Sequence, residues 1–237
     1  MSSRNSGAEA IPAATVTFVP LPEPTAARAR AAVSLPGPPL AERLLHELGP
    51  SLKDLAAVAC GASRADDGTA VLLTGCRRGA GCSTVAWALA RAAAEQGPVL
   101  LMDGDLNGRG LSKLGEGLDT FGWTDALEGL GPFDQALRQV AGQDLVFLPL
   151  REPNAQSDRI LSHAALPLWL ARLRREFRLI VLDGGPLAES GAGWARWVDA
   201  ALLVCDLGQT PAGERTGGWD QLEAEGTHVL GIVETLV

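Results

Sequence analysis

A chain of 237 residues with a net charge of −8 suits one large domain, and its 46% hydrophobic content is enough for a sizeable core. The acidic balance excludes a broad nucleic-acid surface, which needs clustered basic charge. No apolar run approaches the roughly 18 residues needed to cross a bilayer, which argues against direct membrane insertion.

No apolar run follows a basic start at the N-terminus, so no secretory signal is read. Cys60, Cys76, Cys82 and Cys205 lack C-x-x-C spacing and are expected as free thiols in a reducing cytoplasm. Residues 1–38 are rich in proline, alanine and serine and read as a disordered arm, with 15–19 as a potential edge strand. Residues 39–237 read as the folded domain. Within it, 40–59 has helical apolar spacing broken at Gly49-Pro50, which predicts two short helices. Residues 61–68 are turn-like. Then come a strand at 70–74, a helix at 83–96 stopped by Gly97-Pro98, and a strand at 99–103. A helix is expected at 133–140, a strand at 145–150 and an amphipathic helix at 164–177. Strands at 179–183, 200–205 and 229–233 and a helix at 214–225 complete the order. Continuous apolar strands separated by helices predict an α/β fold, a mostly parallel central sheet with helices on both faces. Arg172, Arg174, Arg175 and Arg178 form a basic cluster that reads as a solvated helix face.

Ligands of such sheets bind beyond the carboxyl ends of the strands. At one such end, between the strand at 70–74 and the helix opening at Ser83, runs a loop of small residues, TGCRRGAGCST. Glycines there let backbone N–H groups converge on a phosphate, and the helix N-terminus adds partial positive charge. The candidate phosphate-binding residues are Arg77, Arg78, Gly79, Ala80, Gly81, Cys82, Ser83 and Thr84. In G-x-x-x-x-G-K-[ST] a lysine reaches the terminal phosphates. Cys82 holds that place here, and the motif's first glycine is displaced by Cys76. Asp103 and Asp105 (LLMDGDLNG) and Asp183 (LIVLDGGP) end two other strands on the same edge. Magnesium takes one or two carboxylates, waters and substrate phosphates, which makes Ser83, Asp105 and Asp183 the candidate metal ligands. Asp103, Asp105 and Asp183 are also the candidate catalytic acids, placed to orient a nucleophile toward a phosphoryl group. The cofactor these residues suit is ATP or ADP with Mg2+, held more weakly without the lysine. A thiol opening a helix is expected to have a lowered pKa, so Cys82 is a conceivable redox switch. Trp87, on the helix behind the loop, is the expected fluorescence reporter.

The loop, the blocks LLMDGDLNGRGLSKL and LIVLDGGP, and ALLVCDLGQT together resemble the deviant Walker P-loop ATPases, which include MinD/ParA proteins and the bacterial tyrosine kinases (BY-kinases) of capsule and exopolysaccharide export. The BY-kinase branch is the better likeness, over residues 68–235. It implies a three-layer P-loop NTPase fold. It assigns Gly79, Gly81, Ser83 and Thr84 to the P-loop, Asp103 and Asp105 to the A′ motif (a catalytic base and a magnesium-shell acid) and Asp183 to the Walker B acid, followed by Pro186.

The departures are Cys82 for lysine, Asn107 and Gly108 where these kinases carry basic residues, and the absence of any tyrosine. Nor is the membrane-binding amphipathic helix of MinD proteins recognisable. The resemblance therefore implies a catalytically impaired, nucleotide-binding regulator or scaffold of polysaccharide production. It would be cytoplasmic, brought to the inner membrane by a protein partner such as an export component or a homologous subunit, and a homo-oligomer is compatible with it. Two alternatives stay open. One is an active ATPase or tyrosine kinase acting in trans, with Arg77, Arg78 or Arg109 standing in for the lysine. The other is a MinD/ParA-like positioning ATPase.

Overall fold

Alternate residues of each central strand face opposite sides of a single sheet, and both sides are covered. In β2 (Thr69–Gly75), Leu72 packs on one side while Val71 and Leu73 pack on the other; β3 (Val99–Asp103), β6 (Leu179–Pro186) and β7 (Ala200–Asp206) do the same. This is why these strands read as continuous apolar runs. The computed structural model describes residues 32–63, 67–114, 121–152 and 157–236. The arm expected over 1–31, with its edge strand at 15–19, lies outside the described residues.

The remaining strands are β1 (Ala32–Val33), β4 (Arg138–Val140), β5 (Leu145–Leu148) and β8 (His228–Thr235). The sheet order is β1-β4-β5-β3-β6-β2-β7-β8. Every pairing is parallel except β4 with β5, so the sheet is mostly parallel as expected. The helices α1 (Ala41–Cys60) and α2 (Cys82–Ala93) cover one face. The other face carries α3 (Trp123–Leu127), α4 (Ser157–Leu161), α5 (Leu166–Glu176), α6 (Ala192–Ala195) and α7 (Ala212–Ala224).

The two helices expected within 40–59 are the two halves of α1, which breaks at Leu48 (φ −119°, ψ 15°), where Pro50 cannot supply an N–H to the preceding turn. Two local expectations change. The helix expected at 133–140 is a 3₁₀ turn, Phe133–Gln135, followed by strand β4. Phe133, Ala136, Leu137 and Val140 have helical spacing, but the first three enter one core and Val140 the opposite one. Pairing with β5 overrides the local pattern, and the Gln139 amide fixes the turn by donating to the Gln143 and Leu145 carbonyls. Finally, the end of the expected arm is part of the domain: Ala32 and Val33 pair with β4, and Leu35 is buried.

The basic cluster on α5 is also more than a solvated face. Arg172 pairs with Asp134 and Glu176, and Arg174 pairs with Asp199 at 2.8 Å. The other Asp199 oxygen accepts the Ala70 N–H at 2.8 Å, so one carboxylate joins α5 to the start of β2. Asp199→Ala is expected to cost about 2–3 kcal/mol, because it strands a half-buried guanidinium and a backbone donor. Urea denaturation measures this loss, and Asp199→Asn should recover part of it.

Candidate functional site

The phosphate loop leaves β2 at the carboxyl edge of the sheet. Gly79 (φ +87°) and Gly81 (φ +88°) take left-handed conformations that other residues rarely adopt, and α2 starts directly after Gly81 with no side chain capping it. The uncapped N–H groups of α2 therefore remain available to an anion. A cavity of about 270 Å³ opens over the loop, lined by Arg77, Arg78, Gly79, Gly81, Cys82, Ser83, Thr84, Asp105, Gly110, Gly185 and Pro186.

Asp103, the last residue of β3, is paired in register with Asp183 of β6, and both are fully buried. Asp183 accepts the Ser83 hydroxyl at 2.6 Å, so the structure brings together two of the three expected metal ligands. Asp103 does not line the cavity. Its oxygens accept the backbone N–H of Asp105 at 3.1 Å and of Ser112 at 2.6 Å, so it shapes the loop that carries Asp105. Burial and the Asp183 carboxylate push Asp103 up to about 7, against the pull of the Ser112 bonds. Asp183 is raised too, by burial.

Two indoles clamp the A′ backbone. Trp123 Nε1 donates to the Asp103 carbonyl and Trp194 Nε1 to the Gly104 carbonyl, each at 2.9 Å, and the rings lie 5.7 Å apart. Sequence spacing gave no sign of this clamp, because Trp123 lies on a helix of five residues and Trp194 on one of four. Trp87, the expected reporter, instead sits against Gly37 and under the Arg91 guanidinium, so the indoles touching the site are Trp123 and Trp194.

The three arginines considered as lysine substitutes all have other engagements. Arg77 forms an ion pair with Glu214 of α7. Arg78 bridges Asp105 and Glu189, the latter on a π-helical turn (Leu187–Gly191). Arg109, in a left-handed conformation (φ 53°), donates to the Leu150 carbonyl at 3.1 Å. Glu189 and Glu214 carried no motif and were not legible as site residues. The three-donor magnesium set does not fit as expected, because both Asp105 oxygens are taken by Arg78. Among the described residues, no group of three or more His, Cys, Asp or Glu side chains is arranged to hold a metal.

The cysteines depart from expectation as well. Cys76, at the start of the loop, is joined by a disulfide to Cys205 at the end of β7, with Cα atoms 5.4 Å apart. Two of the four expected free thiols are therefore paired, and Cys60 and Cys82 are free. Cys82 is buried, and its pKa lies well above the usual thiol value. Desolvation and the neighbouring carboxylates of Asp183 and Asp105 outweigh the helix N-terminus. The lowering expected of a thiol at a helix N-terminus is thus reversed at Cys82.

No family model matches the chain, and no curated protein is similar enough to match. Solved structures do match. The VpsO kinase domain superposes with a TM-score of 0.72 at 24% identity, covering 84% of this chain and 100% of that domain. The kinase domain of the Escherichia coli tyrosine kinase ETK gives 0.71 at 18% identity, over 87% and 89% of the two chains. The chain has the fold of a bacterial tyrosine kinase domain. MinD of Pyrococcus horikoshii, solved with Mg-ADP, shares less of it: a TM-score of 0.58 at 22% identity, over 70% and 69% of the two chains. The P-loop NTPase fold and the likeness to BY-kinases and MinD proteins thus stand at the level of fold. Among the described residues, no helix is long and apolar enough to cross a membrane.

Two outcomes follow from the site. The folded state holds the Asp103 proton up to about pH 7, whereas an unfolded aspartate loses it near about 3.9. The stability Asp103 contributes is therefore full below the unfolded value and lost as pH rises through about 7. The melting temperature should be higher at pH 6 than at pH 8 by at least about 2 °C, a difference that shrinks in Asp103→Asn. In thiol titration of the native protein with an aromatic disulfide reagent, Cys82 should stay unmodified until denaturant is added.

Proposed function

We propose that this chain is a catalytically impaired, nucleotide-binding regulator or scaffold in capsule or exopolysaccharide production. The observation that carries this reading is the pairing of an intact phosphate cradle with a neutral thiol in the lysine's place. The glycine conformations, the uncapped start of α2 and the overlying cavity support phosphate binding. Ser83, at the start of α2, donates its hydroxyl to Asp183, which keeps a hydroxyl and a carboxylate beside the cradle.

Catalysis is another matter. Phosphoryl transfer depends on positioning and on neutralising charge in the transition state. One unit charge a few ångströms away is worth about 4 kcal/mol at an effective dielectric of about 20, before desolvation. Cys82 supplies none of it. Arg77, Arg78 and Arg109 are each committed to another partner, which disfavours an active kinase or ATPase working in trans. The absence of tyrosine disfavours a protein that phosphorylates its own tail. The weaker overlap with MinD disfavours the positioning ATPase.

The pathway and the partner class come from the likeness to BY-kinase domains. The partner we propose is a protein, either a membrane polysaccharide-export component or a homologous subunit, that holds this chain at the cytoplasmic side of the inner membrane. Assembly into a homo-oligomer is compatible with that role.

Calorimetric titration of ADP and ATP into the natural protein and Cys82→Lys tests the reading. The natural protein is expected to bind ADP, Cys82→Lys to bind it at least about tenfold more tightly, and neither ADP nor phosphate to accumulate when the natural protein is held with ATP. Turnover of ATP that Asp183→Asn removes would establish the active alternative. No binding by either protein would make the cradle a relic.

A further inference from the structure

The expected magnesium ligand Asp105 already has a cation. Arg78 Nη1 lies 3.0 Å from Asp105 Oδ2 and Nη2 lies 3.3 Å from Oδ1, a two-pronged contact that uses both oxygens of a side chain only 4% exposed. The same guanidinium reaches Glu189, with Nη2 at 2.5 Å from Oε2 and Nε at 3.3 Å from Oε1. One arginine thus pairs with two carboxylates, Asp105 of the cavity lining and Glu189 beside it, and is anchored on two sides.

The surrounding backbone is fitted to this contact. Gly185 (φ +66°) passes beneath Asp105 so closely that a Cβ there would stand 2.6 Å from the carboxylate. On the other side, a Cβ on Gly108 would collide with both Arg78 Nη1 and Asp105 Oδ2. Gly108 stands where the likeness to kinases predicts a basic side chain, so the glycine makes room for Arg78. Gly110 approaches the Ser83–Asp183 pair: a Cβ on it would meet the Ser83 hydroxyl and stand 3.0 Å from Asp183 Oδ2. Magnesium demands an octahedral shell and keeps several waters. Here one expected ligand is consumed and the backbone closes over the other two.

We infer that the Arg78 guanidinium takes the place of the divalent metal, so that this site binds the phosphates of its nucleotide without magnesium. Arginine suits the position because its planar fork matches a carboxylate on each side and carries charge at every accessible pH. The ligand class is a nucleoside diphosphate or triphosphate in its metal-free form, held by the loop N–H groups with Arg78 staying on Asp105 and Glu189. This inference rests on the nucleotide-binding reading for its ligand, but not for its metal-free site.

Two titrations test it and fail separately. In the first, ADP is titrated into the natural protein in excess EDTA and in excess MgCl2. The two affinities are expected to agree within about twofold. In the second, Mn2+ is titrated without nucleotide and followed by the electron paramagnetic resonance of the free ion. Arg78→Ala is expected to bind Mn2+ at least about tenfold more tightly than the natural protein, because Asp105 and Glu189 are released. Arg78→Lys keeps the charge but loses the fork, and serves if the alanine variant does not fold. It should fall between the two, read alongside its melting curve. A tenfold gain in ADP affinity from magnesium in the natural protein would overturn the inference. So would Mn2+ binding by the natural protein as tight as that of the Arg78 variants. If ADP fails to bind under either condition, the nucleotide reading fails, and the Mn2+ titration still decides the role of Arg78.

Discussion

Negative charge gathered at the carboxyl edge of the sheet is the constraint on which this site depends. β3 ends in Asp103 beside Asp183 of β6, Asp105 follows two residues after Asp103, and Glu189 leans in from the π-helical turn. A buried carboxylate needs donors, a counter-charge or a proton. Each acid meets that need differently. Asp183 takes the Ser83 hydroxyl, Asp103 takes two backbone N–H groups and holds its proton near neutrality, and Asp105 and Glu189 share one guanidinium. The shape of the loop from Gly104 to Ser112 follows from these solutions, and Trp123 and Trp194 fix its origin by bonding the carbonyls where it leaves β3.

The sheet was legible in the sequence because burial on two faces leaves an unmistakable mark. Runs such as LLMD and LIVLD have no polar alternation, and only a parallel sheet under two helical layers accommodates that. Segments that cross from one face to the other were not legible. Residues 133–140 look helical because their apolar residues recur at the right interval, yet the chain enters the sheet within them as β4, between β1 and β5, and strand alternation delivers Val140 to the opposite core. Ala32–Val33 was hidden for a different reason. A two-residue strand beside a proline-rich stretch has no periodicity to read, and its place depends on β4, which was itself misread.

The site divides along a similar line. Its backbone component was readable, because glycines before a helix and acids at strand ends are local patterns with local causes. Its charge balance was not, since that depends on groups far apart in the chain. Asp105 and Arg78 are 27 residues apart, Arg78 and Glu189 are 111 apart, and Arg77 and Glu214 are 137 apart. The lowered thiol pKa expected of Cys82 failed for the same reason. A helix N-terminus favours a thiolate by a partial charge, but desolvation and the neighbouring Asp183 and Asp105 carboxylates oppose it. The disulfide between Cys76 and Cys205 likewise joins residues 129 positions apart, brought together because β2 and β7 are neighbours in the sheet.

Replacing a lysine by Cys82 removes a positive charge from a set of acids that stays in place. The structure relieves the remaining acids in two ways: Arg78 offsets one of the two charges on Asp105 and Glu189, and burial favours the protonated form of Asp103 and Asp183. Neither solution requires the loop to deform, since its geometry is set by Gly79, Gly81 and the start of α2 rather than by the side chain at residue 82. In the proposed nucleotide site a phosphate would meet the uncapped N–H groups at the start of α2, with Asp105 already paired to Arg78. It does not meet a mobile cation able to follow charge as it develops during transfer. Arg78, tethered to two carboxylates, can neutralise a resting state far better than it can track a transition state. Binding and catalysis, which one lysine normally serves together, are physically separable here.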